Sequence, residues 1–320
     1  MIRGHEVIAI EEHYWDPEVA ATAPGYDAGR VASQTQRLAD FTGVRLAEMD
    51  AAGIDIQVIS HGAPSVQRME GPEAVRLARR ANDRLAAQTA RRPDRLRAFA
   101  MLPTNTPEAA ADELERRVRD HRFCGAMLHG LSAGRFLDEE DFRPIFARAE
   151  ALDTPIYLHP ATPDERVTEA YYAAYAKSHP MVIRPAWGFA VETATLAIRL
   201  ILSGVFEAHP RLQIILGHMG EMLPFQLWRL DQALKRPGNA AVSFGDTFRR
   251  HFHVTTSGHF STPALACAMA ELGPDRVMFS VDWPFVANEP AVAWAQGLDL
   301  PEPTLGGLLG ANARRLLKLA

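Results

Sequence analysis

Two glutamates and a histidine form the first chemically suggestive group in the chain. The apolar run Val7-Ile8-Ala9-Ile10 ends in Glu11-Glu12-His13. Three later apolar runs also end on groups that bind divalent metals: Tyr157-Leu158-His159, Ile214-Ile215-Leu216-Gly217-His218 and Phe279-Ser280-Val281-Asp282. Carboxylates and neutral imidazoles together make a mixed oxygen–nitrogen ligand set for a divalent ion, which can polarise an oxygen or activate water. Glu11 and His13 are two apart, so on a strand both point to one side while Glu12 points outward. Each ending has an ordinary explanation when taken alone. Glu11 and His13 read as a surface polar pair, His159 as a satisfied core histidine, and Asp282 as the cap of the following turn. Four coincidences of strand end and ligand type make a metal centre the leading reading.

His218 is followed by Glu221 where a helix should begin. On a helical turn that carboxylate reaches back to an imidazole nitrogen and sets its tautomer, giving a catalytic pair; it also suits the positive end of a helix. Arg229 in the next helical stretch is either a bidentate anchor for a substrate carboxylate or an exposed helix arginine. Trp187 and Phe189 are candidate walls of an aromatic pocket, or packing residues. Gly130-Leu131-Ser132-Ala133-Gly134 matches the nucleophile-elbow pattern of serine hydrolases. An elbow needs a helix directly after its serine, whereas residues 134–138 read as loop, so Ser132 is set aside.

These groups need a scaffold that gathers distant strand ends. Strand-like runs at 7–10, 54–60, 96–102, 124–128, 155–159, 212–217, 253–257 and 276–281 alternate with helical patterns at 38–49, 74–92, 109–118, 142–152, 192–206, 223–234, 263–272 and 305–319. Eight strands each followed by a helix predict an α/β fold of the (β/α)8 TIM-barrel type, a single domain over residues 1–320, with every strand ending at one rim. Residues 14–36 and 160–191 read as long loops above that rim. A doubly wound sheet lacks support, since no Gly-x-Gly-x-x-Gly follows a strand and no P-loop motif occurs.

The chain has 320 residues, 47% hydrophobic and 23% charged, with a net charge of -5. That balance suits a globular enzyme and offers no basic field for nucleic acid. No apolar stretch has the ~20 residues of a membrane span. The start carries no secretory signal pattern, and the two cysteines, Cys124 and Cys267, are far apart, so a reduced, cytoplasmic protein is expected.

Over essentially its whole length the chain resembles the metal-dependent amidohydrolase superfamily, and within it the aminocarboxymuconate-semialdehyde decarboxylase-like branch, nearest the gamma-resorcylate (2,6-dihydroxybenzoate) decarboxylases. The resemblance is carried by Ala9-Ile-Glu-Glu-His13, Arg79-Arg-Ala-Asn-Asp83, Tyr157-Leu-His-Pro160, Trp187 with Phe189, Glu192-Thr193, His209-Pro-Arg-Leu212, Leu216-Gly-His-Met-Gly-Glu221, Thr255-Thr-Ser-Gly258, Asp282-Trp-Pro-Phe285 and Asn312-Ala-Arg-Arg-Leu316. It implies one divalent ion, zinc or manganese, held by Glu11, His13, His159 and Asp282, with His218 at or beside it and no organic cofactor. It also implies non-oxidative decarboxylation of a hydroxybenzoate-type acid, with Asp282 protonating the ring carbon, His218 and Glu221 assisting, and Arg229 anchoring a polar substituent. Tyr26 falls where these enzymes place a pocket phenylalanine. A homodimer or homotetramer acting in aromatic catabolism is implied as well. The chain departs from the pattern at Ser60-His61-Gly62, at His129 and at His259, where asparagines are expected, which changes the hydrogen-bonding surface offered to the substrate. The rival reading is a hydrolase on the same scaffold, with metal-bound water attacking an ester, lactone or amide. A non-catalytic binding protein would not need all four ligand positions.

Overall fold

The computed structural model describes residues 1–22 and 32–319. Among these, eight parallel strands appear in chain order: β1 (Ile8–Tyr14), β2 (Ile56–His61), β3 (Leu96–Ala98), β4 (Ala126–His129), β5 (Ile156–His159), β6 (Ile214–Leu216), β7 (Phe252–Thr255) and β8 (Val277–Met278). One ladder runs β1-β2-β3 and a second β4-β5-β6-β7-β8. A parallel bridge between Ala100 and Ala126 joins the two. The other seam closes through His13 N–H to Trp283 O at 2.7 Å and Asp282 N–H to Glu11 O at 3.1 Å. The result is the expected barrel.

Apolar residues fill both faces of the strands because both are covered. Ile8, Ile10, Ile56, Val58, Phe99, Met127, Tyr157, Ile215 and Met278 pack with one another inside the barrel. Ala9, Ile59, Ala98, Leu128, Leu158, Leu216 and Val254 face the surrounding helices. Those helices are α1 (Val44–Ala52), α2 (Gly71–Thr89), α3 (Pro107–His121), α4 (Arg143–Ala151), α5 (Gly188–Leu202), α6 (Leu223–Leu234), α7 (Thr262–Leu272) and α8 (Asn288–Gln296). Helix α2 shows the logic: Ala74, Leu77, Ala78, Ala81 and Leu85 recur at helical spacing and are buried against the barrel.

Several expectations change. Strand β1 does not stop at residue 10 but continues through the acids to Tyr14. Helix α8 had no counterpart in the sequence reading, and the expected 192–206 helix starts earlier and ends at Leu202, with Gly204 at φ +77° after it. The long segment after β5 is not structureless: it winds through short turns at Glu165–Val167, Thr168–Tyr172, Ala173–Ala176 and Pro180–Val182. Among the described residues, no helix is long and apolar enough to cross a membrane.

Candidate metal centre

A one-residue slip in β1 builds the centre. Ala9 pairs with Gln57 and Glu12 with Ile59, so β1 spends one more residue than β2 between them. Such a β-bulge resets which side chains face inward. Ile8 and Ile10 pack in the lumen before it; after it Glu11 and His13 turn inward and Glu12 outward.

Inside the rim, one ligand atom each from Glu11, His13, His159 and Asp282 lies within 4.8 Å of the others. His13 Nε2 is 3.2 Å from Asp282 Oδ1, and His159 Nε2 is 3.2 Å from Glu11 Oε1. Yet Glu11 Oε1, His13 Nε2 and Asp282 Oδ1 are buried without a hydrogen bond. An unsatisfied buried polar atom costs about 1–3 kcal/mol, and three converging on one point fit a shared cation. Each ligand is aimed by a second contact. His159 Nδ1 donates to Pro160 O at 2.7 Å, leaving Nε2 bare, and His13 Nδ1 meets Ser60 Oγ at 3.2 Å. Glu11 Oε2 accepts from the Tyr157 and Ser257 hydroxyls, so only Oε1 remains for an ion. A Cβ on Gly217 would stand 2.7 Å from Glu11 Oε2; only glycine lets the chain leaving β6 pass this close. Burial opposes ionisation of Glu11, but His218, His159 and His13 outweigh it and hold the carboxyl well below its usual range. Burial pushes the His13 imidazole down, toward the neutral form a metal requires.

Asp282 sits at φ +77°, a left-handed conformation that aspartate tolerates better than most residues. Its two neighbours are held by Glu12. The Val281 and Trp283 N–H groups donate to the Glu12 carboxyl at 2.9 and 3.0 Å, and Ser280 Oγ adds a third contact at 3.2 Å. Burial pushes Glu12 up to about 8 despite those backbone donors. Behind it, buried Arg45 donates to His13 O at 2.6 Å and lies 4.1 Å over the Trp283 ring. Glu12 therefore points away from the lumen as expected, into a buried clamp around the segment after β8 that carries Asp282.

His218 and Glu221 form the anticipated pair, Nδ1 to Oε1 at 2.7 Å, but not on a helical turn. His218, Met219, Gly220, Glu221 and Met222 all have positive φ, and α6 begins only at Leu223. This left-handed turn aims His218 Nε2 at Glu11 Oε1, 3.6 Å away. Burial alone would lower the His218 pKa; Glu221 and Glu11 reverse this and raise it to about 10. Gly258, at φ +58°, borders the two candidate proton carriers: a Cβ there would lie in ordinary contact with Asp282 Oδ2 and His218 Cδ2, both at 3.6 Å.

The other candidate residues lie elsewhere. Arg229 is exposed on α6, Trp187 is 48% exposed just before α5, and Phe189 is half-buried. None of the three makes a hydrogen bond, ion pair or ring contact with the six residues above. Tyr26 lies outside the described residues. Ser132 is buried, bonded to Thr104 Oγ1 at 2.6 Å and Asn105 Oδ1 at 2.8 Å. It has no imidazole partner, so the elbow motif is structural. Of the three departures, His61 stacks on Trp15 with ring centroids 6.3 Å apart, His129 lies 4.9 Å from the His159 ring, and His259 is exposed. Sequence reasoning missed Ser60, Tyr157, Ser257 and Glu12, although Thr255-Thr-Ser257 at the end of β7 was a visible run of hydroxyls. A cavity of about 580 Å³ lies among the segments after β2, β4 and β5, lined by Arg68, Leu131, Ala133, Ala161, Thr162 and Thr168.

With this geometry in place, comparison with known proteins is informative. The family model described as amidohydrolase matches residues 8–319. The chain is 43% identical over 325 residues to gamma-resorcylate decarboxylase of Rhizobium radiobacter, covering 98% of both chains. Its fold is similar to a crystal structure of 2,6-dihydroxybenzoate decarboxylase complexed with 2,6-dihydroxybenzoate, with a TM-score of 0.89, 40% identity and 98% and 100% of the two chains covered. The dihydroxybenzoic acid decarboxylase of Polaromonas sp. JS666, solved with manganese and the inhibitor 2-nitroresorcinol, is similar at TM-score 0.89 and 37% identity over 98% of this chain and 97% of that one.

Proposed function

This chain belongs to the amidohydrolase family, and from that premise we propose that it is a metal-dependent, non-oxidative decarboxylase of a hydroxybenzoate-type acid, releasing CO2 and a phenol. The observation that carries the proposal is the convergence of Glu11, His13, His159 and Asp282 on one point with buried atoms left unpaired. Relatives at about this identity are decarboxylases of 2,6-dihydroxybenzoate, which supports that acid or a close analogue as substrate. Manganese in a neighbour supports Mn2+, while two imidazoles in the ligand set suit Zn2+ equally well.

Glu11, His13, His159 and Asp282 would hold the divalent ion, which would supply Lewis acidity toward the substrate when bound. The chain's own groups do the proton work. Asp282, 17% exposed and clamped through its neighbours by Glu12, delivers a proton to the ring carbon that carries the carboxylate. The bond to the carboxylate then breaks, its electron pair restores the aromatic ring, and CO2 leaves. His218, oriented by Glu221, holds the phenolic side through Nε2. Arg229 remains a proposed anchor for a distal polar group, with Trp187, Phe189 and Tyr26 as pocket walls. The exposed Tyr171, Tyr175, Met181, Phe225 and Trp228 support a homodimer or homotetramer, and the free thiols Cys124 and Cys267 support a cytoplasmic location.

The test is a panel of salicylate-type acids given to enzyme reconstituted with Mn2+ or Zn2+, followed by loss of ring absorbance. Consumption of 2,6-dihydroxybenzoate or a near analogue supports the proposal. Consumption of none of them, by protein that holds one equivalent of metal, overturns it.

A further inference from the structure

The cavity of about 580 Å³ at the rim takes no part in the chemistry described above. Its volume suits a small-molecule pocket, and none of Glu11, His13, His159, His218 or Asp282 lines it. Its walls come from three segments: Arg68 after β2, Leu131 and Ala133 after β4, and Ala161, Pro163 and Thr168 after β5.

Two of these residues carry polar groups that the protein leaves unspent. Arg68 reaches over from the β2 side and donates one guanidinium N–H to Thr162 O at 3.1 Å. Among the described residues it makes no other side-chain hydrogen bond and no ion pair. The nearest carboxylates do not neutralise it: Asp164 is committed to Arg166 at 2.8 to 3.1 Å, and Glu165 is exposed. Thr168 opens a π-helical turn, Thr168–Tyr172, a geometry frequent at functional sites. Its hydroxyl is buried without a partner. A helical threonine often bonds back to the carbonyl four residues earlier, yet here Asp164 O takes only the Thr168 N–H, at 2.9 Å. Glu192 of α5 pins the wall from behind, its Oε2 accepting the Asp164 N–H at 2.9 Å. Its Oε1 is buried and unpaired beside Gly130, where a Cβ would stand 3.2 Å from that oxygen and 2.7 Å from Ala161 Cβ.

An unpaired cation, an unpaired hydroxyl and small apolar walls define the ligand that fits. A carboxylate answers the guanidinium fork of Arg68, a flat ring covers Leu131, Ala133, Ala161 and Pro163, and a ring hydroxyl answers Thr168. We propose that this cavity is a second binding site, outside the metal centre, for a small hydroxyaromatic carboxylate. Arg68 is its anchor, and Thr168 reads the hydroxyl. The site goes beyond the proposed reaction, because its residues bind without metal or turnover. It holds an acid of the proposed substrate's class against Ala161, two residues beyond the proposed ligand His159.

Calorimetry on metal-loaded protein tests it with 3- and 4-hydroxybenzoate, whose hydroxyls lie too far from the carboxylate to share one ion with it. Wild type should bind the tighter of the two, and benzoate about threefold more weakly, the worth of one neutral hydrogen bond. Arg68→Gln should weaken the hydroxy acid about tenfold or more, and Arg68→Lys by less, since the charge stays while the fork is lost. Thr168→Val, close in shape, should bring the hydroxy acid to the affinity of benzoate and leave benzoate itself unchanged. Metal content should stay at that of wild type in all three variants. No wild-type binding at about 10 mM acid, an affinity indifferent to Arg68→Gln, or a hydroxyl preference that survives Thr168→Val overturns the inference. Loss of binding when a chelator removes the metal, with the circular dichroism spectrum unchanged, places the acid at the ion and overturns it as well. Failure of the decarboxylase reading shows separately, as absence of CO2 from 2,6-dihydroxybenzoate while these affinities stand.

Discussion

The lumen of this barrel and its outer flank are built on opposite plans. In the lumen, nearly every polar atom has one contact that orients it and one that faces the site. Glu11 gives one oxygen to hydroxyls and keeps the other free. His159 gives one nitrogen to Pro160 O, and Asp282 is gripped on both sides by Glu12. On the flank, the turns of residues 165–187 and helix α6 carry Tyr171, Tyr175, Met181, Trp187, Phe225, Trp228 and Arg229 exposed to solvent. Preorganised geometry belongs to the lumen, and the flank, where we propose that substrate is recognised, is loosely held. Catalysis requires the first, while an exposed, long-stemmed arginine is compatible with the second.

Substitutions measure that contrast. The largest effect is expected at Asp282→Asn, which removes a carboxylate ligand and the proposed proton donor together. Turnover should fall by roughly 10³-fold or more with the circular dichroism spectrum unchanged, and activity within tenfold of wild type would remove Asp282 from the proton path. Next comes Glu12→Ala, which touches no ligand atom but orphans the Val281 and Trp283 N–H groups. A 10- to 100-fold drop in kcat is expected, the usual cost of losing a group that orients a ligand, together with a lower Tm. A fall in Tm with kcat intact would make the clamp purely structural. Tyr157→Phe removes one of the hydroxyls on Glu11 Oε2 and should weaken metal affinity several-fold, read by competition with a chelator; unchanged affinity would show that Ser257 alone suffices. On the flank, Arg229→Ala should raise KM by about tenfold with kcat within twofold, the signature of uniform binding. A collapse of kcat there would erase the contrast between the two regions. Ser132→Ala should leave kcat within twofold, because its hydroxyl is spent on Thr104 and Asn105.

Much of the lumen was legible from residue types and spacing. Apolar runs ending in Glu11, His13, His159 and Asp282 announced both the strands and the side chains that converge at their ends, because a parallel barrel writes its strands as continuous apolar stretches and ends them all at one rim. The mechanism that turns Glu11 and His13 inward was not legible. A bulge shifts pairing by one residue, and no residue type in Ala9-Ile-Glu-Glu announces it. The task of Glu12 was hidden for the same reason, since its partners are backbone N–H groups some 270 residues away in sequence. The pairing of His218 with Glu221 was foreseen but its backbone was not. Left-handed φ at Met219, Glu221 and Met222 runs against the preference of those residue types and is imposed by tertiary packing. The flank was the least legible, as aromatic residues such as Trp187 and Phe189 fill pockets and pack helices with equal ease.

The central claim is that this site breaks a carbon–carbon bond and returns a proton to the ring, and one isotope measurement addresses it directly. Metal-loaded enzyme is incubated with 2,6-dihydroxybenzoate in D2O, and CO2 and the ring product are quantified together. The prediction is one CO2 for each acid consumed, with one deuterium on the ring carbon that lost its carboxylate. Intact acid, alongside hydrolysis of an aryl ester or lactone with solvent oxygen in the product, would contradict it.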